Sequence, residues 1–132
     1  MADRPRVFIE DHFPTAELGI ESVRERAAAS ALPPIYFLHV WWARRPLVAS
    51  AGAILGSLLP VWSPELAGSF SQRPELATAD AYRTWFLRLC GILGDPVLGR
   101  KKIDEAKATG EKLKDNGYGY KQAYKNSPPP EQ

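Results

Sequence analysis

Residues 39–45 crowd His39, Trp41, Trp42, Arg44 and Arg45 immediately before Pro46 and Leu47, and these side chains define the chemistry open to the chain. Guanidiniums bind phosphates and carboxylates through planar forks. Indoles stack on bases, on an adenine or on another guanidinium. A helix beginning at Pro46 would add free first-turn amides and positive potential at the same place, so the run reads as an anion or nucleotide site. The competing reading is that Arg44 and Arg45 cap acids within the fold. Trp41 and Trp42 are adjacent, so an extended segment sends them to opposite sides, one toward the core and the other available for stacking. His39 has no Ser, Cys or acid beside it in a nucleophile arrangement, and it reads as structural.

A second set of residues lies late in the chain. Residues 99–125 hold eight Lys/Arg against four acids, a local balance of +4, although the whole chain carries only +2. Within it, Gly117-Tyr118-Gly119-Tyr120-Lys121, with Tyr124 and Lys125, interleaves aromatics and cations as single-strand binders do. Lys101, Lys102, Tyr118, Tyr120, Lys121 and Lys125 are therefore the candidate nucleic-acid contacts. The alternative is an irregular segment that docks its tyrosines on the domain. The chain has no Gly-rich phosphate loop, no paired-carboxylate site and no Ser/His/Asp arrangement. A single Cys90 and two histidines leave neither a disulfide framework nor a Cys/His zinc site. Cys90, beside Leu89 in an apolar stretch, reads as a small buried thiol. The residues argue for binding and against an independent enzyme.

The elements that position these residues follow from periodicity. At 132 residues the chain suits one domain, mainly α, of about four helices. Residues 1–14 form a short extended arm, with Val7-Phe8-Ile9 as an edge strand or docking segment, and residues 15–115 form the helical module. The first helix lies within 15–31, starting near Ile20 or Glu21. It has Leu18, Val23 and Ala27 inward and Ser22 and Glu25 spaced as a capping box. Pro33-Pro34 stops it, and an extended stretch runs from 35 to 39. The second helix, 46–59, carries Leu47, Ala51, Ile54, Leu55 and Leu58 as a core-facing stripe, while Gly52 and Gly56 imply a close approach by a backbone or ligand. Residues 60–74 read as a loop with a short turn near 64–67. A third helix starts at Thr78 or Asp80, buries Tyr82, Trp85, Phe86, Leu89 and Leu93, and stops at Gly94. Asp95-Pro96 opens a fourth helix reaching about Asp115. Residues 116–132 compose an irregular Tyr/Lys/Pro-rich, linker-like tail. No signal peptide is legible, and the longest apolar stretch, 47–62, falls short of the roughly 20 residues a bilayer crossing needs. The chain is expected in the cytoplasm with no membrane contact.

The run His39-Val40-Trp41-Trp42-Ala43-Arg44-Arg45-Pro46-Leu47 follows Glu21-Ser22-Val23-Arg24-Glu25-Arg26. Together they resemble the N-terminal module, of unknown function, of a family of large prokaryotic DNA methylases marked by a Trp-Trp-Ala-Arg-Arg-Pro signature. Gly94-Asp95-Pro96, Ile103-Asp104-Glu105-Ala106 and residues 118–126 are similar to that family too. The resemblance implies a module preceding an S-adenosylmethionine-dependent domain that methylates adenine in DNA, often encoded among antiphage defence genes. The family's Asp-Pro-Phe-Ala-Gly-Gly-Gly cofactor loop and Asp-Pro-Pro-Tyr catalytic motif do not occur here and are expected in a downstream domain. By that analogy Trp41, Arg44, Arg45 and Pro46 complete a pocket for S-adenosylmethionine, bound only with the downstream domain and not by the chain alone. Where many relatives have a His-Gly-His-like stretch, this chain has Ala29-Ser30-Ala31-Leu32-Pro33-Pro34, which removes any role tied to those histidines. The partners implied are the downstream methyltransferase domain and DNA. A scaffold or nucleic-acid-binding module of a defence complex is the alternative, with self-association through apolar surface near Gly52, Gly56 and Trp42.

Overall fold

The computed structural model describes residues 4–27, 46–113 and 115–126. They form a mainly helical domain of five α-helices: α1 (Thr15–Ala27), α2 (Leu47–Leu58), α3 (Pro64–Ser69), α4 (Ala79–Leu89) and α5 (Pro96–Thr109). Single 3-10 turns occupy Phe8–Glu10, Pro74–Leu76 and Ala123–Lys125. Among the described residues no helix is long and apolar enough to cross a membrane. The extended stretch expected at 35–39 and the end of the first helix beyond 27 lie outside the described residues.

The N-terminal segment, expected as an extended arm carrying an edge strand or docking run, packs into the core of its own domain. Phe8 N donates to Leu59 O at 2.9 Å and Val61 N to Arg6 O at 3.2 Å, around a single antiparallel bridge between Val7 and Pro60. The turn at Phe8–Glu10 drives the Phe8 ring inward, where it is 3 % exposed. Its centroid lies 4.6 Å from that of Phe86 and 5.3 Å, edge-on, from that of Tyr82. Burying this ring outweighs leaving the arm solvated.

Helix α1 starts at Thr15, directly after the buried Pro14, several residues earlier than the expected start near Ile20. The register sends Leu18 and Glu21 inward and leaves Val23 60 % exposed, so Val23 is not the core residue its spacing suggested. Ser22 is no cap either: its Oγ donates to Leu18 O inside the helix at 2.7 Å. Helices α1 and α2 pair antiparallel at close range. A Cβ at Gly52 would sit 2.9 Å from Leu18 Cδ1, and one at Gly56 would sit 2.7 Å from Phe13 Cε2. The two glycines thus do admit a close neighbour, but in place of the expected backbone or ligand it is the side chains of Leu18 and Phe13 of the chain itself.

Helix α3 fills the place where only a short turn was expected, with Ser63 as its cap. The cap of α4 is Thr78, whose side chain accepts from Ala81 N at 3.1 Å. Tyr82 and Phe86 are buried as expected, with the Tyr82 hydroxyl donating to Pro60 O at 2.9 Å. The helix ends at Leu89, not at Gly94. Gly91 takes φ +83°, and the bonds Gly91 N to Arg88 O and Ile92 N to Leu87 O, both 2.9 Å, close a Schellman motif. Leu93 therefore falls beyond the helix and is 49 % exposed, while Ile92 enters the core. Asp95 and Pro96 open α5 as expected, but Gly110 at φ +73° ends it at Thr109 instead of near Asp115.

The segment after α5 is the largest departure. Through Asn126 it is docked, not linker-like. A Cβ at Gly94 would meet the Tyr120 ring at 2.6 Å and one at Gly99 the Tyr118 ring at 2.5 Å, while Ala123 is 4 % exposed. Ala123 O lies only 2.4 Å from where a Gly91 Cβ would stand, so Gly91 meets a conformational and a steric demand together. Gly110 has a similar φ but no neighbour within 4 Å, which makes it the control. In urea unfolding, Gly110→Ala should cost about 1–2 kcal/mol, the price of a left-handed Cβ alone. Gly91→Ala should cost clearly more, and equal losses would show that the Ala123 contact contributes nothing.

Candidate interaction surface

The candidate anion site was to combine Arg44 and Arg45 with free amides at the start of the second helix. Trp41, Arg44 and Arg45 lie outside the described residues, as do His39 and Trp42. Pro46 is described, half-buried and at the N-cap of α2. It has no N–H to offer. The next two amides are already engaged: Leu47 N donates to Glu25 Oε1 at 2.9 Å and Val48 N to Glu25 Oε2 at 3.3 Å. The Glu25 carboxylate thus sits where an external anion would bind, complementing the helix dipole from the C-terminal end of α1. The expectation of free first-turn amides at Leu47 and Val48 is corrected, and Glu25 caps α2 rather than its own helix. The described part of this helix start does not fit the carboxylate of S-adenosylmethionine, because an internal carboxylate holds the donors.

The outward face of α2 is the second correction. Of the stripe expected to face the core, Leu47, Ile54 and Leu58 are 63, 60 and 74 % exposed. The buried positions are Val48, Gly52 and Gly56, with Leu55 and Leu59 packed partly beside them. The spacing pointed to a helix correctly, but α1 and the N-terminal segment pack on the Val48, Gly52 and Gly56 face and leave Leu47, Ile54 and Leu58 outside. From Leu47 to Leu58 the helix has no charged residue.

The late basic segment divides. Lys101, Lys102, Lys121 and Lys125 are exposed, and Lys125 Nζ lies 5.5 Å from the centroid of the Tyr124 ring. Tyr118 and Tyr120 are half-buried and face inward around Arg24, whose guanidinium carbon lies 4.2 and 4.7 Å from their ring centroids. Arg24 also donates to Tyr120 O and, at 2.9 Å, to Glu21 Oε1. Glu21 itself is fully buried. It accepts from the Tyr120 hydroxyl at 2.6 Å on one oxygen and from Ala123 N at 3.2 Å on the other. Burial, and then the Glu21 carboxylate beside it, push the Tyr120 phenol above its ordinary range. A tyrosine in this position holds the fold, and its face is not a platform for a base.

Elsewhere the chemistry is sparse. Cys90 is 6 % exposed and burial raises its thiol to about 11, which leaves little thiolate at neutral pH. A cleft of about 470 Å³ is lined by Phe8, Asp11, Phe13, Trp62, Asp80 and Arg83, among others, and a second of about 420 Å³ shares Asp80 and Arg83. Arg83 is held by Glu17 at 2.7 Å. Its Nε and Glu17 Oε2 are unpaired, and these are the two atoms that would form the second arm of a side-on fork. Among the described residues no group of three His, Cys, Asp or Glu side chains is placed to hold a metal.

Residues 12–86 match a family model described as "Protein of unknown function (DUF1156)". The chain belongs to this family. The DUF1156 region takes in α1, α2, α3 and most of α4, so the Glu25 cap and the exposed stripe of α2 both fall within it. Helix α5 and the docked segment after it lie beyond the matched span. No curated protein and no solved structure matches the chain.

The buried Glu21 cluster gives a stability test. Tyr120→Phe removes a neutral donor to a buried carboxylate and should cost about 1.5–3 kcal/mol in urea unfolding. Tyr118→Phe keeps the ring over Arg24 and should cost much less. A Tyr120→Phe protein as stable as the parent would remove Glu21 from the role of anchor.

Proposed function

We propose that this chain is a non-catalytic module of an S-adenosylmethionine-dependent DNA adenine methyltransferase, and that its work is to dock the catalytic domain. The observation that carries this reading is α2. It begins at the end of the Trp-Trp-Ala-Arg-Arg-Pro signature, is capped from within the module, and turns an uncharged aliphatic stripe to solvent. A face of this kind suits packing against protein, since burying it removes apolar surface from water without stranding a charge.

The resemblance of the signature to that of DNA methylases supplies the identity of the partner. Membership of DUF1156 is compatible with it and supplies no activity. Of the proposed cofactor-binding residues, Trp41, Arg44 and Arg45 carry the polar donors and Pro46 offers only apolar contact, since Glu25 holds the amides of Leu47 and Val48. The alternative as a nucleic-acid binder draws on Lys101, Lys102, Lys121 and Lys125, but Arg24 already occupies the faces of Tyr118 and Tyr120, which leaves Tyr124 as the exposed ring of that segment.

The experiment is to express the polypeptide of the complete reading frame beside the 132-residue chain and to measure S-adenosylmethionine binding by calorimetry and methyl transfer to adenine in duplex DNA. The complete polypeptide should bind and transfer, and the 132-residue chain should do neither. Transfer by the short chain, or a reading frame that encodes no methyltransferase domain, would overturn the reading.

A further inference from the structure

We propose that the cleft between the N-terminal segment and the start of α4 binds an organic cation, a guanidinium or ammonium group carried on an aliphatic stem. The inference is independent of the methyltransferase reading and rests on the walls and charges of the cleft alone.

At about 470 Å³ the cleft falls within the range of small-molecule sites, roughly 300–1,000 Å³. Phe13 and Trp62 give it an aromatic wall, and both rings are held in place. The Trp62 indole donates Nε1–H to Leu76 O at 2.9 Å, so its polar edge is engaged and ring carbon is left to line the cleft. Phe13 meets Phe8 and Phe86 in T-shaped contacts, with centroids 6.3 and 5.7 Å apart. Neither ring can swing in to fill the space without breaking these contacts, so the cleft is formed before a ligand arrives and little freedom is lost on binding. His12 takes φ +46°, and this left-handed turn lets Asp11, His12 and Phe13 all line one cleft, where an extended strand would alternate them between two faces.

The charges select the class of ligand. Four titratable side chains line the cleft: Asp11, His12, Asp80 and Arg83. The Arg83 guanidinium is already matched by Glu17 at 2.7 Å. Asp80, exposed in the first turn of α4, has no ion pair or hydrogen bond at its side chain among the described residues. The Asp11 carboxylate has only the exposed His12 imidazole beside it, at 3.4 Å. Two carboxylates thus leave the cleft negative in a chain whose overall charge is +2.

A phosphate or carboxylate entering here would be repelled by both acids, beside apolar walls that weaken the screening by water. An uncharged ligand would gain only the ring surface. A cation on an aliphatic stem gains both kinds of contact: its charge pairs with an exposed carboxylate, and its stem lies along Phe13 and Trp62, where the charge is attracted wherever it sits over a ring face.

Amide NMR of the 132-residue chain, with agmatine as the probe, tests the site. Agmatine carries a guanidinium and an ammonium on one stem. It should shift the signals of Asp11, His12, Ala79 and Asp80 and of the Trp62 indole N–H in a saturable way, and added salt should weaken the binding. The double variant Asp11→Asn, Asp80→Asn keeps the size of two solvent-accessible side chains and should give a spectrum as well dispersed as the parent's. It should bind agmatine at least about tenfold more weakly. Sodium acetate at matched ionic strength should leave the same signals in place. A blocked Gly-Arg-Gly peptide separates the sources of such a cation: binding clearly tighter than that of agmatine assigns the cleft to a basic side chain of a partner protein, and equal or weaker binding assigns it to a free amine. Failure of both probes to give saturable shifts, an agmatine affinity unchanged in the double variant, or shifts with acetate in place of agmatine would overturn the cation site. Each of these outcomes leaves the methyltransferase reading to its own test.

Discussion

A carboxylate with no access to water ties this fold together. Glu21 is fully buried, and a buried charge persists only where donors surround it. One donor, Arg24, is a turn away on the same helix. The others, the Tyr120 hydroxyl and the Ala123 amide, come from about a hundred residues further along the chain. The segment after α5 must therefore return to α1. Its return sets further demands: Gly94 and Gly99 leave room for the two tyrosine rings, and Gly91 leaves room for Ala123 O while ending α4. The place where α4 stops and the docking of the tail are thus coupled to the burial of this carboxylate.

This dependence explains what the sequence could and could not disclose. Thr78, Asp95, Pro96 and the aromatic stripe of α4 were legible because each signal is local: a cap, a fixed φ, a face repeating with the helix. The stop at Gly91 was not, since a glycine three residues later satisfied the same local rule and only the distant Ala123 chooses between them. The tail read as linker because Gly, Tyr and Lys alternate with no periodicity. What makes it ordered is Glu21, and a glutamate on an amphipathic helix looks like a solvated one until its partners are known. The alternative in which the tyrosines dock on the domain is the one the fold adopts.

The candidate site divides along the same line. Residue types announced an anion-binding helix start, and the structure does place a carboxylate there, but it is Glu25. The spacing of Ser22 and Glu25 suggested a local capping box, whereas Glu25 caps a different helix more than twenty residues away. Capping rules describe which group a helix end needs, and they do not say which part of the chain supplies it.

Helix α2 turns this geometry toward function. Periodicity fixed the positions of its apolar residues but not which of its two stripes would face α1. A helix serving only its own core would bury Leu47, Ile54 and Leu58 and leave the small residues outside, since the large side chains gain most from leaving water. Here Leu18 of α1 packs on Gly52 and Phe13 of the N-terminal segment on Gly56 instead, a choice that costs helix propensity at two positions and leaves aliphatic surface wet. Both costs are offset if the large stripe is covered by a partner that the close glycine contact helps to position. The glycines and the exposed leucines are then one feature, with close packing on the inner side holding the outer side in register for its partner.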